Sequence, residues 1–174
     1  MSTISDALRN SQLDDLVSNL DALEIKDSGG TVIAEKTSGI GWNAASSGTQ
    51  GEVTVSGTPT LTGTSAAGSG TNAASARAYH SGASGEEVDG LNVGYRPPNP
   101  TAWATGQSIS QGDVRINDGI IYEATEAHTT DADTEPGFGP AWPDVWKQYH
   151  VTLDNLSIAD SQSVDVNSAT LTYP

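Results

Sequence analysis

A chain of 174 residues has room for one ordinary domain, or for a small domain plus a mini-domain. It carries 22 acidic against 7 basic side chains, a net charge of −15, with one Phe and no Cys. That composition excludes a disulfide framework and thiolate chemistry, and it offers no basic patch to phosphates, so nucleic acid is not an expected partner. No apolar run approaches the roughly 20 residues that span a bilayer. The opening MSTISDALRN has neither the basic start nor the apolar stretch of a cleaved leader. Neither membrane insertion nor a leader is expected.

The acids are scattered through the chain. One reading is an acidic disordered protein; the alternating Val/Thr patterns and the Trp residues favour packed sheets instead. The sharper reading is adaptation to high salt. In molar salt the Debye length falls to about 3 Å, which screens repulsion among carboxylates. Carboxylates then hydrate the surface without the apolar stems that Lys would add.

In chain order, residues 3–22 read as helical. Leu13, Leu16, Val17 and Leu20 form a stripe at i, i+3, i+4 and i+7, with Ser11 as the expected N-cap ahead of Asp14. Ile4 and Leu8 form a weaker preceding turn that Asn10-Ser11 separates from the main helix. From Leu23 the period changes to two. Leu23 and Ile25 alternate with polar residues, Asp27 to Gly30 is a turn signal, and Thr31 to Glu35 returns as a second strand. Residues 44–75 are rich in Ser, Thr, Gly and Ala. They read either as a linker or, from the shared parity of Val53, Val55 and Leu61, as thin strands. Ser75–His80 and Val88–Gly94 are two more short strands.

After residue 150 the alternation resumes at Val151, Leu153 and Asn155. Val164 and Val166 share one parity, whereas Ala169, Leu171 and Tyr173 share the other. That switch predicts a bulge or bend near Asn167-Ser168. The fold class expected is mainly β: a small antiparallel β-sandwich with an N-terminal helix and an inserted β-rich mini-domain. Residues 1–94 and 151–174 form the sandwich, and residues 95–150 are an insertion at a strand–strand turn, entered through the stiff PPNP at 97–100.

The insertion holds three of the four Trp residues and the only Phe. Within it, Asp113-Val114 starts a strand after a turn, Asn117-Asp118-Gly119 is a two-residue hairpin signal, and Ile120 to Ala124 is the returning strand. Trp103 and Trp146 are expected to close a mini-core over a sheet too small to stand without large aromatics. Trp142, framed by prolines, is the candidate exposed platform. Tyr149, Tyr122, Phe138 and Tyr95 are further aromatic candidates for stacking on a sugar ring, with His128 as a hydrogen-bonding group.

Those residues carry a resemblance. Trp103, Gln111-Gly112-Asp113-Val114, Asn117-Asp118-Gly119, Tyr122-Glu123-Ala124, Pro136 and the closing Trp146 resemble the chitin-binding type 3 carbohydrate-binding module. Family members carry adjacent exposed Trp after the returning strand; here the chain reads Thr125-Glu126-Ala127-His128. The resemblance implies carbohydrate binding, and the departure moves any stacking to the Trp142 loop and its neighbours.

The flanking unit is similar to small virion structural proteins of tailed viruses, of the haloarchaeal type. The similarity rests on ALRNSQLDDLVSNLD, SGGTVIAE, WNAASSGT, TGTSAAG, SARAYHSG and the closing SIADSQSVDVNSATLTYP. What it implies is an oligomeric structural role at the particle surface or tail; the reading favoured within it is a homo-oligomeric decoration or turret protein on the capsid exterior, docked on the major capsid protein or another virion protein. The insert would hold a host cell-surface glycan. Two alternatives are a tail-fibre or baseplate adhesin, and a capsid cement protein whose insert makes only protein contacts. A sugar-binding accessory domain of a secreted enzyme is a further, weaker reading.

Nothing in the sequence marks an enzyme or a cofactor. There is no G-x-S-x-G, no P-loop and no G-x-G-x-x-G. His80, His128 and His150 make no metal spacing. Asp131, Asp133 and Glu135 alternate as calcium ligands do, but the EF-hand pattern fails, so they are weak metal candidates and no metal is expected.

Overall fold

The structure, a computed structural model, describes residues 5–45, 51–82, 85 and 87–173. The chain forms two compact units, residues 1–95 with 151–174, and residues 96–150. The first unit opens with helix α1 (Asp6–Asn19), then strands β1 (Ala22–Lys26), β2 (Val32–Lys36), β3 (Gly51–Thr54), β4 (Thr60–Gly63), β5 (Thr71–Asn72), β6 (Ser75–Tyr79) and β7 (Glu87–Tyr95). The second unit holds β8 (Thr101–Ala102), β9 (Ser108–Ile109), β10 (Val114–Asn117), β11 (Ile120–Ala124), β12 (His128–Thr129), a single helical turn α2 (Trp142–Val145) and β13 (Trp146–Tyr149). The chain then returns to the first unit as β14 (Val151–Leu153), β15 (Ser157–Ile158) and β16 (Ser163–Tyr173).

The helix starts a turn and a half earlier than its sequence suggests. Ser5, not Ser11, is the N-cap, and its hydroxyl accepts from the Leu8 amide at 3.4 Å. The helix runs unbroken through Asn10-Ser11. Mid-helix Asn and Ser cost only about 0.5 kcal/mol each against Ala, less than the burial of Leu13, Val17 and Leu20 returns. Leu16 sits at the edge of that stripe, half-buried, and Leu8 is exposed. Ile4 lies outside the described residues. The helix also ends sooner than residue 22, because Leu20 already has extended ψ and Ala22 opens β1.

The unit is mainly β, as composition and parity imply, and its sheet closes on itself. The strand order is β14-β7-β6-β1-β2-β4-β16-β3, and β14 also pairs with β16. The two faces expected of a sandwich are thus parts of one continuous sheet. All pairings are antiparallel except β14 with β7. β3 and β4 pair with two successive stretches of β16, 170–173 and 163–165 respectively. The Ser/Thr-rich segment is therefore strand at 51–54 and 60–63; residues 46–50 lie outside the described residues.

The bulge falls where the parity switch places it. Thr152 opposes Ser168 and Leu153 opposes Val166, which leaves Asn167 as the extra residue. Val164 and Val166 before it, and Ala169 and Leu171 after it, consequently all face the interior and are buried. Among the described residues the buried members of this core are Leu, Ile, Val and Ala, with Trp42 packed at the margin. On the outer face Arg77 bridges Glu24 at 2.8 Å and Glu87 at 2.9 Å, and Lys26 reaches Asp89 at 3.0 Å.

One glycine is fixed by close approach. A Cβ on Gly63 would lie 2.0 Å from the Ala159 carbonyl oxygen. The turn at 159–162 lies flat on β4, with Gly63 N donating to the Gln162 carbonyl and Ser161 N to the Gly63 carbonyl. Gly63→Ala is expected to destabilise this unit by about 3 kcal/mol, the upper range for overpacking against backbone. Urea titration followed by far-UV circular dichroism measures this; a midpoint unchanged from wild type contradicts the packing described.

The 96–150 unit does not sit at a hairpin turn. β7 and β14 are parallel neighbours, with Val93 beside Val151 and Tyr95 beside Leu153, and parallel strands need a crossover connection. The unit is that connection. Because β14 begins only two residues back from the end of β7, Tyr95 and Val151 are about 8 Å apart by strand spacing.

Candidate ligand-binding face of the inserted unit

The inserted unit is built on a four-stranded sheet of order β13-β11-β10-β8, with β9 and β12 as a separate two-stranded ladder. The β10–β11 hairpin turns on Asp118 (φ 48°) and Gly119 (φ 82°), with Asn117 paired to Ile120. Two consecutive left-handed residues make the tight turn that Asn-Asp-Gly signals. Tyr122, Ala124 and Trp146 alternate onto one face and form the core with Ile109 and Val145; Trp103, Ile120 and Trp142 pack at its edge. Trp146 is 2% exposed, and its indole N–H donates to the Thr134 carbonyl at 2.9 Å. Trp103 is half-buried with its indole nitrogen enclosed.

Burial sorts the candidate sugar-binding residues. Tyr122 is only 2% exposed and leaves the list, because the core needs its ring. Trp142 is half-buried and meets Tyr122 edge-on, with ring centroids 5.7 Å apart; the proline-framed loop folds back as α2 instead of projecting. His128 offers a ligand little. Its Nδ1 lies 3.1 Å from the Glu126 carbonyl, its Nε2 is enclosed, and its ring stands edge-on to Trp146 at 5.0 Å.

Tyr149 lies on the opposite sheet face from Tyr122. Its hydroxyl donates to Glu123 and Lys147 covers its ring at 5.5 Å. Burial first, then the Glu123 carboxylate, raises its pKa well above that of a free phenol. The adjoining His150 has its pKa lowered by burial. Tyr95 belongs to β7 of the other unit, where it is exposed.

Phe138 is the exception. It is 52% exposed, the only large apolar side chain of this unit described as exposed, and the loop that carries it is held at many points. Asp131 Oδ1 accepts from the amides of Asp133 (3.0 Å) and Thr134 (2.9 Å). Those bonds, with the Thr134 amide and hydroxyl leading, hold the Asp131 pKa below its ordinary value. Phe138 N and Gly139 N both donate to the Glu135 carbonyl, and Ala141 N donates to the Asp133 carbonyl.

Two glycines make that path possible. Gly137 has φ +86° and a Cβ there would lie 2.8 Å from the Tyr122 hydroxyl, while a Cβ on Gly139 would lie 2.2 Å from the Asp133 carbonyl oxygen. Asn117 Nδ2 reaches across to the Pro136 carbonyl at 2.9 Å. The hairpin signal therefore concealed a second job for Asn117, and nothing in the spacing of Asn117 and Pro136 foretold it. Of the acids at 131, 133 and 135, Asp131 forms the turn through its carboxylate, and Asp133 and Glu135 hold it through their backbone carbonyls. Among the described residues no group of three His, Cys, Asp or Glu side chains is placed to hold a metal ion.

A rigid loop thus presents one aromatic ring to solvent, with a half-buried indole and several carboxylates in the same loop and helical turn. An apolar face on a fixed frame suits a flat, C–H-rich partner surface such as a pyranose ring. No described helix is long and apolar enough to cross a membrane. Comparison with family models, with curated proteins and with solved structures finds no match.

Proposed function

We propose that this chain is a structural display protein of a halophilic tailed virus. The closed sheet anchors it as a homo-oligomer to the major capsid protein or another virion protein, and the inserted unit presents a glycan-binding face to the host. The observation that carries the reading is Phe138, held exposed on a loop that backbone hydrogen bonds and two obligatory glycines prevent from collapsing. Preorganisation of that kind lowers the entropy lost on binding.

The insertion point supports the display role, since the anchoring sheet is continuous on both sides of the connection it carries. Net charge supports the halophilic setting. A single small aromatic face binds sugar weakly, so repeated copies on one particle would raise the apparent affinity by avidity. The role is non-enzymatic, and no cofactor enters it.

Labelling of purified virions with gold-conjugated antibody to the 131–141 loop tests the placement. Label on intact capsid exteriors is the expected result. Label confined to tails would transfer the binding unit to a fibre or baseplate, and label only on disrupted particles would remove the display role.

A further inference from the structure

A groove of about 390 Å³ opens in the first unit between α1 and residues 40–44. Asp14, Val17 and Ser18 line it from one helix face, at i, i+3 and i+4. Asp21 stands beyond the helix end, and Trp42 lines the facing segment. The indole is fixed in place: its N–H donates to the Leu20 carbonyl at 2.7 Å, and it packs against the core cluster.

The polar inventory of this groove is one-sided. Its side-chain donors are spent internally. Trp42 donates to Leu20, the Asn43 amide donates to Thr54 Oγ1 at 3.0 Å and the Val55 carbonyl at 3.3 Å, and the Ser18 hydroxyl donates to the Asp15 carbonyl at 2.7 Å. Acceptors are in surplus. Asp14 takes the Ala45 amide at 2.6 Å, and Asp21 takes the Ser81 amide and hydroxyl at 2.7 and 2.8 Å. A carboxylate has about four lone-pair sites, so each keeps capacity to spare. The ion pairs around Lys26 and Arg77 take in Glu24, Glu87 and Asp89, and neither Asp14 nor Asp21. The Ser81 bonds, with His80 adding a weaker field, keep Asp21 ionised below the ordinary carboxylate range.

A negative groove with an aromatic wall and no side-chain donors left selects its ligand by chemistry. An anion is repelled. A sugar hydroxyl group needs donors as well as acceptors, and finds side-chain acceptors only. A guanidinium is planar, brings five donors and no acceptor, forks onto carboxylates and stacks on an indole face. An ammonium supplies charge without the fork or the plane. We propose that the groove between α1 and Trp42 is a socket for an arginine side chain of a partner protein, the contact through which the closed-sheet unit docks. This rests on the anchoring role of that unit and is independent of glycan binding by the insert.

The test uses the full-length isotope-labelled chain at one salt concentration where it is folded, titrated with N-acetyl-arginine amide and followed by amide and indole NMR signals. Saturable shifts confined to the Trp42 indole, Gly41 and Val17 are expected. Asp14→Asn and Asp21→Asn, which retain an acceptor oxygen for Ala45 and Ser81, should each weaken binding by about fivefold or more, since a charge-assisted bond becomes a neutral one. N-acetyl-lysine amide should bind more weakly. Shifts spread over the whole acidic surface, or unchanged affinity in both folded variants, would overturn the proposal. Tighter binding by methyl glucoside at the same signals would reassign the groove to sugar.

Discussion

Transfer of the chain from about 3 M to about 0.1 M monovalent salt is expected to lower its stability on the order of 5 kcal/mol, as the Debye length grows from about 3 to about 10 Å. A loss of that size is comparable with the whole stability of many domains. The cause is the excess of 22 acids over 7 bases, little of which is neutralised locally. The ion pairs that Arg77 and Lys26 make in the first unit gather on one outer patch. The described core of the first unit is aliphatic, which leaves no large reserve against self-repulsion. Thermal unfolding across a salt series measures the effect. A melting temperature that stays constant or rises as salt is removed would contradict the halophilic reading.

The same measurement across pH, made in high salt, separates specific groups from net charge. Burial lowers the His150 pKa, so the folded state resists a proton that the unfolded chain accepts below about pH 6.5. Stability should therefore fall as pH drops through that value. It should fall again below about pH 4, where Asp89 (held down by Lys26), Asp131 and Asp21 lose their bonded anionic forms. Tyr149 and Tyr79 have raised pKa values, chiefly through burial. Their contribution is complete below about pH 10 and is lost above it, as the unfolded phenols ionise first.

Replacement of residues 96–150 by a Gly/Ser linker of about fifteen residues, long enough for a parallel crossover, is expected to leave the first unit folded, with thermal stability within about 1 kcal/mol of the full chain. The geometry is specific. Tyr95 and Val151 end and begin parallel neighbours in a single sheet, about 8 Å apart, so the linker has to cross over and re-enter in the direction in which β7 leaves. Every other pairing of that sheet lies outside the deleted segment. Size-exclusion chromatography and circular dichroism of the shortened chain measure this. An unfolded product would make the 96–150 unit part of the fold instead of its passenger.

The sequence exposes periodicity well and contacts poorly, and particular residues show why. The parity switch at Asn167-Ser168 was legible because a bulge changes which residues face inward, and both sets are aliphatic. The Asn-Asp-Gly turn was legible because left-handed backbone narrows the residue choice. The N-cap was not: Ser5 and Ser11 are equivalent candidates until packing selects a helix length. Closure through β14 and β16 was hidden as well, since alternation records faces and not partners.

At the candidate site, composition marked the aromatics but could not rank them. Trp142 looks free in sequence and is drawn down against Tyr122, whereas Phe138 is lifted out by Gly137 and Gly139. The Trp42 groove is not legible in the sequence because its helix wall and its facing segment are far apart in sequence and meet only in the fold.

The most direct measurement is a glycan array in about 3 M salt, where surface charge is screened, comparing the full chain, its Phe138→Ala variant and the chain lacking residues 96–150. Binding by the full chain, about tenfold weaker or absent in Phe138→Ala at unchanged melting temperature and absent in the shortened chain, is the predicted result. Equal binding by all three proteins, or no binding by the full chain at any density of displayed sugar, would contradict the account.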